Sequence, residues 1–150
     1  MNKVLLTGAS GYIGKRLLPK LIECGYQVVC GVRDLKRFKL AKHMQDKVEV
    51  VQLDLLDKDS FKNIPKDISG AYYLVHSMSQ SADYVQMEKD SAINFQKYID
   101  ETSCEHVIYL TGIVNEVELS DHLSSRLAVE NILSKGKYKF TALRAGIIIG

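Results

Sequence analysis

The sequence of 150 residues lacks the features that would assign it to a membrane or a nucleic-acid partner. No apolar run approaches the length of a membrane span, and a first strand predicted from about Lys3 leaves no room for a signal peptide. The net charge is only +2, without the concentrated basic stripe that marks nucleic-acid or anionic membrane partners. The densest basic group, Lys36 to Lys42, contains one aromatic residue, Phe38, and is typical of a solvated helix face. We therefore expect a cytoplasmic protein with neither kind of partner.

Cysteine is scarce, and its three positions are far apart. Cys24, Cys30 and Cys104 are odd in number and lack the spacing of metal ligands. In a reducing compartment such residues are typical of packing positions rather than of disulfide bridges. We therefore predict reduced cysteines and no metal site.

The sequence does contain a regular alternation of β-branched runs and helical patterns. The predicted strands are Val4 to Leu6, Gln27 to Gly31, Val48 to Gln52, Ala71 to Val75, His106 to Leu110 and Phe140 to Leu143. The predicted helices are Ile13 to Cys24, Leu35 to His43, Ser60 to Asn63, Tyr84 to Thr102 and Leu123 to Lys135. This alternation predicts an α/β fold, a doubly wound parallel sheet of about six strands with helices on both faces.

Length and composition suit one domain over residues 1–150. Its first helix contains Pro19, which removes a backbone donor, and Gly25 is a typical stop for that helix. The apolar end, Ala145 to Gly150, has no predicted partner downstream. We therefore expect the domain to be part of a longer protein.

The most informative segment is Thr7 to Gly14, Thr-Gly-Ala-Ser-Gly-Tyr-Ile-Gly, which lies between the first strand and the first helix. Gly8 suits a tight turn, Gly11 lets phosphates approach the backbone, and Gly14 lets the helix pack close to the strand. The free N–H groups of a helix start favour an anion, and a dinucleotide pyrophosphate is the expected occupant. The alternative is an ordinary strand-to-helix turn rich in small residues.

The spacing in this segment does not fit a nucleoside-triphosphate loop. Such a loop has two glycines five positions apart, followed by Lys and then Ser or Thr. Here Ile13 lies five positions after Gly8, and Lys15 is followed by Arg16. The triphosphate loop is therefore rejected.

Taken together, these residues resemble the short-chain dehydrogenase/reductase superfamily over essentially the whole chain, in particular its extended and atypical branches, which include nucleotide-sugar epimerases and NmrA-like proteins. The supporting motifs are Thr7 to Gly14, Gly31 to Asp34, Leu53 to Leu55, Tyr73 to Ser77 and Leu143 to Ile147. The resemblance implies a Rossmann fold, a dinucleotide cofactor and a small-molecule substrate that residues after the sixth strand largely bind. It also makes a homodimer possible.

The end of the second strand predicts which dinucleotide is bound. In NAD-preferring relatives an acidic residue there binds the adenosine ribose, whereas this chain has Val32 followed by Arg33. Because an arginine suits a 2′-phosphate, NADP(H) is favoured over NAD(H). The alternative is that Arg33 is a solvated charge paired with Asp34.

Further cofactor contacts are implied by the resemblance. Asp54 would accept a hydrogen bond from the adenine amino group, and Leu55 would pack near the ring. Ser10 would help to hold phosphate, while Tyr12 and Ile13 would cover the pyrophosphate through their backbones. Asp54 can instead be a turn residue that starts the next helix, where Asp is common.

His76 and Ser77 are candidates from their position alone. They follow the fourth strand, and a doubly wound sheet opens its ligand crevice at the carboxyl ends of its strands. We therefore place both in the cofactor site. His76 can equally be a satisfied strand-end histidine.

The catalytic pattern of the superfamily is missing. Its enzymes use a Tyr, a Lys four residues later and a Ser, but none of the eight tyrosines here has Lys at that spacing. The corresponding helix carries His122 and Arg126, which share one helix face. His122 would transfer a proton, Arg126 would hold the ribose, and Thr111 would supply the hydroxyl. The alternative is that His122, Arg126 and Glu130, at four-residue steps, form a solvated helix face with a charge pair.

Two functions follow from this reading. The first is the cofactor-binding domain of an NADP(H)-dependent oxidoreductase or epimerase-like enzyme. The second is a non-catalytic NADP(H)-sensing regulator or scaffold of the NmrA-like type, which the missing Tyr and Lys fit equally well. Whether hydride is transferred to a substrate separates the two.

Overall fold

The six predicted strands pair into one parallel sheet. A computed structural model describes residues 2–76, 83–113, 121–146 and 148, with the side chains of 121–123 not described. The strands are β1 (Lys3–Thr7), β2 (Gln27–Val32), β3 (Val48–Gln52), β4 (Gly70–Tyr73), β5 (His106–Gly112) and β6 (Lys139–Ala145). Their spatial order is β3-β2-β1-β4-β5-β6. The chain therefore winds outward in two directions from β1 and β4, and ligands of such sheets bind where the two halves meet.

Helices cover both faces of the sheet, as predicted. They are α1 (Tyr12–Glu23), α2 (Tyr84–Ile99) and α3 (Asp121–Leu133), and two 3₁₀ helices span Lys42–Lys47 and Lys58–Asn63. Side chains alternate across β1: Leu5 packs in the core on the side of α2 and α3, whereas Val4 and Leu6 pack on the side of α1. The two-residue period of a strand thus gives the domain two hydrophobic cores.

Helix α1 ends one residue before its predicted end, and Gly25 follows it as the predicted stop. Gly25 has a φ of +86°, a left-handed conformation that favours glycine, and its N–H donates to the Ile22 carbonyl oxygen. Pro19 lies inside the helix without ending it. Leu18 and Leu21 face the core, so α1 is held by its apolar side against β1 and β2.

The predicted helix Leu35 to His43 is wrong. The Asp34 carboxylate accepts hydrogen bonds from the N–H groups of Lys36 and Arg37, which forms only a turn. Phe38 and Leu40 then both pack against the core. Side chains two positions apart point to the same side in an extended chain but to nearly opposite sides of a helix. The packing of Phe38 and Leu40 against one core therefore excludes a helix here. The basic group in this segment is therefore not a helix face.

The predicted helix Ser60 to Asn63 is a 3₁₀ helix that begins two residues earlier. The Asp57 side chain caps it by accepting from the Asp59 N–H at 3.0 Å. Its buried residues, Ser60 and Phe61, anchor the connection between β3 and β4. This short helix positions the loop that follows β3.

No helix among the described residues combines the length and hydropathy that crossing a membrane requires. No group of three potential ligand side chains among them is arranged to hold a metal. The three cysteines are free, and Cys30 and Cys104 are buried as predicted. Cys24 is exposed, so its prediction as a packing residue is wrong.

Candidate functional site

The turn between β1 and α1 has the backbone conformation that its glycines suggest. Gly8 has a φ of +72°, and its carbonyl oxygen accepts from the Gly11 N–H at 2.9 Å. A Cβ on Gly8 would lie 2.9 Å from the Leu74 carbonyl oxygen. Only glycine fits this position, both because of its φ and because the end of β4 is so close.

Gly11 and Gly14 play different parts in the same turn. A Cβ on Gly14 would lie 2.3 Å from the Gly8 oxygen and 2.8 Å from the Ala9 Cα, so this glycine allows the helix to meet the turn. A Cβ on Gly11 would meet only the Gly8 oxygen, at 3.2 Å. The outer side of Gly11 is therefore open, as a cradle for phosphates needs to be.

Thr7, which sequence reasoning did not single out, joins the two central strands beside this turn. Its hydroxyl donates to the Tyr72 carbonyl oxygen at 2.9 Å and lies 3.3 Å from the Leu74 N–H, which donates to it. Thr7 is 1% exposed. A polar residue at the end of an otherwise apolar strand was the available signal. The bond fixes the carboxyl ends of β1 and β4 against each other.

A cavity of about 520 Å³ opens at these carboxyl ends. That volume lies within the range of cofactor and ligand pockets. Its lining includes seven predicted site residues, namely Gly8, Ser10, Gly11, Arg33, Asp54, Leu55 and His76. The remaining described candidates do not line it: Tyr12, Ile13, Gly14, Thr111 and Arg126. Turn, strand ends and cavity together fit a dinucleotide, so we name this cavity the cofactor crevice.

Arg33 lies at one end of the cofactor crevice. Arg33 is exposed there, directly after β2, and forms no ion pair within the described part of the chain. Asp34 instead lies 3.5 Å from the Arg37 guanidinium and accepts from two backbone N–H groups. The interpretation of Arg33 as the ionic partner of Asp34 is therefore wrong. Its guanidinium is available to an anion.

Asp54 lies on the loop after β3 at the same end. Its carboxylate accepts from the Leu56 N–H at 3.0 Å, and its own N–H donates to the Ser60 hydroxyl at 3.0 Å. The Leu55 carbonyl oxygen accepts from the Asn94 side chain of α2 at 2.9 Å. Asp54 is thus a turn residue, as the alternative held, and it also lines the cofactor crevice.

The opposite end of the cofactor crevice lies beside β4 and β5. His76 is half-buried there, with its ring centroid 5.9 Å from that of Tyr109. Burial lowers the pKa of His76 below its usual value, the charge of Arg126 acts in the same direction, and Glu88 opposes both. His76 is therefore predominantly neutral near pH 7, and its ring can both donate and accept a hydrogen bond.

The described tyrosines near this end cannot replace the missing catalytic tyrosine. Burial raises the pKa of Tyr109 to about 12, and it raises that of Tyr73 still further. A general acid or base works best with a pKa near the operating pH. Thr111 is 4% exposed on β5, and its hydroxyl has no hydrogen-bond partner among the described residues.

Helix α3 differs from the solvated face that was the alternative interpretation. Glu130 pairs with Arg144 of β6, with 2.6 Å between nitrogen and oxygen, rather than with Arg126. Arg126 is half-buried, and its carbonyl oxygen accepts from the Tyr109 hydroxyl at 3.4 Å. The side chain of His122 and the whole of Ser77 lie outside the described residues.

Sequence reasoning missed Glu88 and Ser125. Glu88 of α2 lines the cofactor crevice and is 9% exposed, and it accepts a hydrogen bond from the fully buried Ser125 of α3. A signal was present in the sequence, because Glu88 interrupts the otherwise apolar stripe of α2, Tyr84, Ala92, Phe95 and Ile99. A carboxylate on the buried side of a helix calls for a partner.

Comparison with known proteins agrees with this geometry. The model of a family described as NAD(P)H-binding matches residues 8–148. A bifunctional dihydroflavonol 4-reductase/flavanone 4-reductase from Pyrus communis is 38% identical over 83 residues, which are 51% of this chain and 24% of that protein. The chain therefore spans about a quarter of the length of such curated relatives.

Two solved structures share the fold. A nucleoside-diphosphate-sugar epimerase from Staphylococcus aureus superposes with a TM-score of 0.78 at 19% identity, covering 96% of this chain and 50% of that one. The Citrobacter sp. triphenylmethane reductase complexed with NADP(H) superposes with a TM-score of 0.73 at 19% identity, covering 95% and 48%.

The fold and the cofactor crevice define a dinucleotide-binding domain of the Rossmann type. The chain belongs to the NAD(P)H-binding family, as the resemblance to the short-chain dehydrogenase/reductase superfamily predicts, and it shares the fold of an epimerase and a reductase. It is an NAD(P)-binding domain, similar in sequence to part of a reductase and in fold to part of an epimerase.

Proposed function

We propose that this domain binds NADP(H) in preference to NAD(H) and serves an oxidoreductase or epimerase-like enzyme that acts on a small molecule. The observation that carries the preference is Arg33, which lines the cofactor crevice after β2 without an ionic partner among the described residues. A guanidinium binds a phosphate by paired, charge-assisted hydrogen bonds. The 2′-phosphate is the group that distinguishes NADP(H) from NAD(H).

The rest of the cofactor crevice would hold the other parts of the dinucleotide. Ser10 and Gly11 line the cradle for the pyrophosphate, with the N-terminal backbone of α1, Tyr12 and Ile13, beside it. Asp54 and Leu55 would contact the adenine. The nicotinamide would then lie at the His76 end, because the glycine turn separates that end from Arg33.

Replacing Arg33 by alanine is expected to weaken NADPH binding roughly thirtyfold, as the loss of a hydrogen bond to a charged group does. The affinity for NADH should stay within about twofold of the unmodified protein, since NADH lacks the 2′-phosphate. The measurement is titration with each cofactor, followed by calorimetry or nicotinamide fluorescence.

Arg37→Ala is the matched control. It removes the same charge four residues later, from a side chain that is paired with Asp34 and does not line the cofactor crevice. Equal losses of NADPH affinity in both variants would show a diffuse electrostatic effect and would refute the assignment of Arg33. Equal binding of NADH and NADPH by the unmodified protein would refute the preference itself.

His122, Arg126 and Thr111 are the residues we propose for the chemistry. A bound nicotinamide supplies hydride transfer, and the chain has to move a proton and hold the ribose. Helix α3 contains both His122 and Arg126, one turn apart. An imidazole titrates near neutral pH and needs no neighbouring lysine to do so. Thr111 ends the adjacent strand with a buried hydroxyl.

His122→Ala is expected to lower kcat about a hundredfold on a carbonyl or nucleotide-sugar substrate, the usual contribution of a general acid or base. NADPH affinity should be retained, because the imidazole is not proposed to bind the cofactor. His43→Ala, on a 3₁₀ helix outside the cofactor crevice, is the control. Unchanged turnover in His122→Ala would remove this residue from the mechanism, and cofactor binding without turnover of any substrate would favour a regulator.

A further inference from the structure

Glu88 is the only charged side chain among the described residues that is buried, with 9% exposure. Removing a carboxylate from water is costly unless it is hydrogen-bonded or paired. Here the Ser125 hydroxyl of α3, itself fully buried, donates to the Glu88 Oε2 of α2. The carboxylate is therefore fixed between two helices.

The same carboxylate lies in the wall of the cofactor crevice. Glu88 lines it together with His76. Its bond to Ser125 joins it to α3, which follows β5, whereas Arg33 and Asp54 follow β2 and β3 in the other half of the sheet. Its partner Ser125 directly precedes Arg126 in α3. Glu88 and Arg126 act on His76 in opposite directions, the carboxylate favouring and the guanidinium disfavouring its protonated form. The charges that reach this end of the crevice thus include one carboxylate and one guanidinium.

The oxidised and reduced cofactors differ in charge at this end. An oxidised nicotinamide ring carries one positive charge, and the reduced ring carries none. A buried, fixed carboxylate interacts with a cation more strongly than an exposed one does in water. It also requires no rearrangement when the cation binds, because Ser125 already holds it in place.

We propose that Glu88 sets the redox preference of the cofactor crevice, binding the oxidised dinucleotide relatively more tightly than an uncharged side chain would. This inference rests on the proposed function, because it requires the nicotinamide to lie at the His76 end. Glu88 is a specificity-determining residue and takes no proton from the substrate. The difference in affinity between the oxidised and the reduced cofactor arises from the charge of this side chain and not from its shape.

The experiment is a comparison of dissociation constants for NADP⁺ and NADPH, both measured for the unmodified protein and for Glu88→Gln. Glutamine keeps the size of the side chain and an oxygen that accepts from Ser125, but it removes the charge. We expect the ratio of the NADP⁺ to the NADPH dissociation constant to rise roughly tenfold in Glu88→Gln. Asp90→Asn, an exposed residue of the same helix outside the cofactor crevice, should leave this ratio within about twofold of the unmodified value.

A second variant protects the test against misfolding of the first. Replacing Glu88 by Met together with Ser125→Ala removes the donor and the acceptor of their shared hydrogen bond at once. Buried ionic groups exchanged for apolar ones are often tolerated. The same rise in the ratio is expected in this double variant. A ratio unchanged in a folded variant that binds both cofactors overturns the inference and leaves the proposed function intact. Failure of the unmodified protein to bind either cofactor overturns both.

Discussion

Gly14→Ala is expected to lower the free energy of unfolding by about 3 kcal/mol, at the upper end of overpacking effects, and to abolish detectable NADPH binding. The added Cβ would lie 2.3 Å from the Gly8 carbonyl oxygen and 2.8 Å from the Ala9 Cα. Both are backbone atoms of the turn, so the clash is relieved only by moving α1 away from β1. That movement would also displace Gly11, which forms the cradle for the pyrophosphate. Chemical denaturation and NADPH titration measure the two effects.

Gly25→Ala is the control for Gly14→Ala. It introduces backbone strain at a glycine that does not line the cofactor crevice. Gly25 also requires glycine because its φ is +86°, but no atom lies within 4 Å of an added Cβ. We expect a loss of about 1 kcal/mol in unfolding free energy, with NADPH affinity unchanged. If Gly14→Ala kept its affinity, or if Gly25→Ala lost it equally, the close approach of α1 to the turn would not be what forms the cofactor site.

Phe95→Ala is expected to lower the free energy of unfolding by about 4 kcal/mol, the usual range for a buried phenylalanine. Phe95 of α2 is fully buried, and its ring meets that of Tyr73 edge to face with centroids 4.9 Å apart. Tyr73 packs in turn on Tyr109 at 5.7 Å. The truncation would therefore leave a cavity beneath the ends of β4 and β5, and denaturant unfolding measures its cost.

Phe95→Leu is the control for this cavity. Leucine fills most of the space but cannot make the edge-to-face contact, so we expect a loss of roughly 1 to 1.5 kcal/mol. Because Tyr73 also lines the cofactor crevice, Phe95→Ala should weaken NADPH binding modestly, by about threefold. Equal stabilities of the two variants would show that α2 shifts to fill the space.

Most of the fold was predictable because its signals are local in sequence. The strand Val48–Gln52 has the bounds that its β-branched run predicts, and α1 differs from its prediction by one residue at each end. The segment Leu35 to His43 failed because Phe38 and Leu40 pack as alternating residues of an extended chain. Their contacts are with residues of other elements, which no local pattern shows.

Several residues that line the cofactor crevice were also predictable from the sequence. The glycine turn, Arg33, Asp54 and His76 were found because strand ends of a doubly wound sheet meet at one edge, so their order along the chain places them there. The absence of an ion pair between Arg33 and Asp34 was not predictable. Its neighbour Asp34 was the obvious partner by sequence, but the turn geometry directs that carboxylate to Arg37.

The sequence by itself predicted a strand, a glycine turn and a helix in the pattern of a phosphate-binding cradle, since the turn lies within the eight consecutive residues Thr7 to Gly14. Only the tertiary structure decided that Glu88 also faces the cofactor crevice and which ion pairs form around it. Glu88 and Ser125 are 37 positions apart and meet because α2 and α3 pack together. Glu130 pairs with Arg144 of β6 and not with a residue of its own helix. Pairing across such separations depends on how the layers pack.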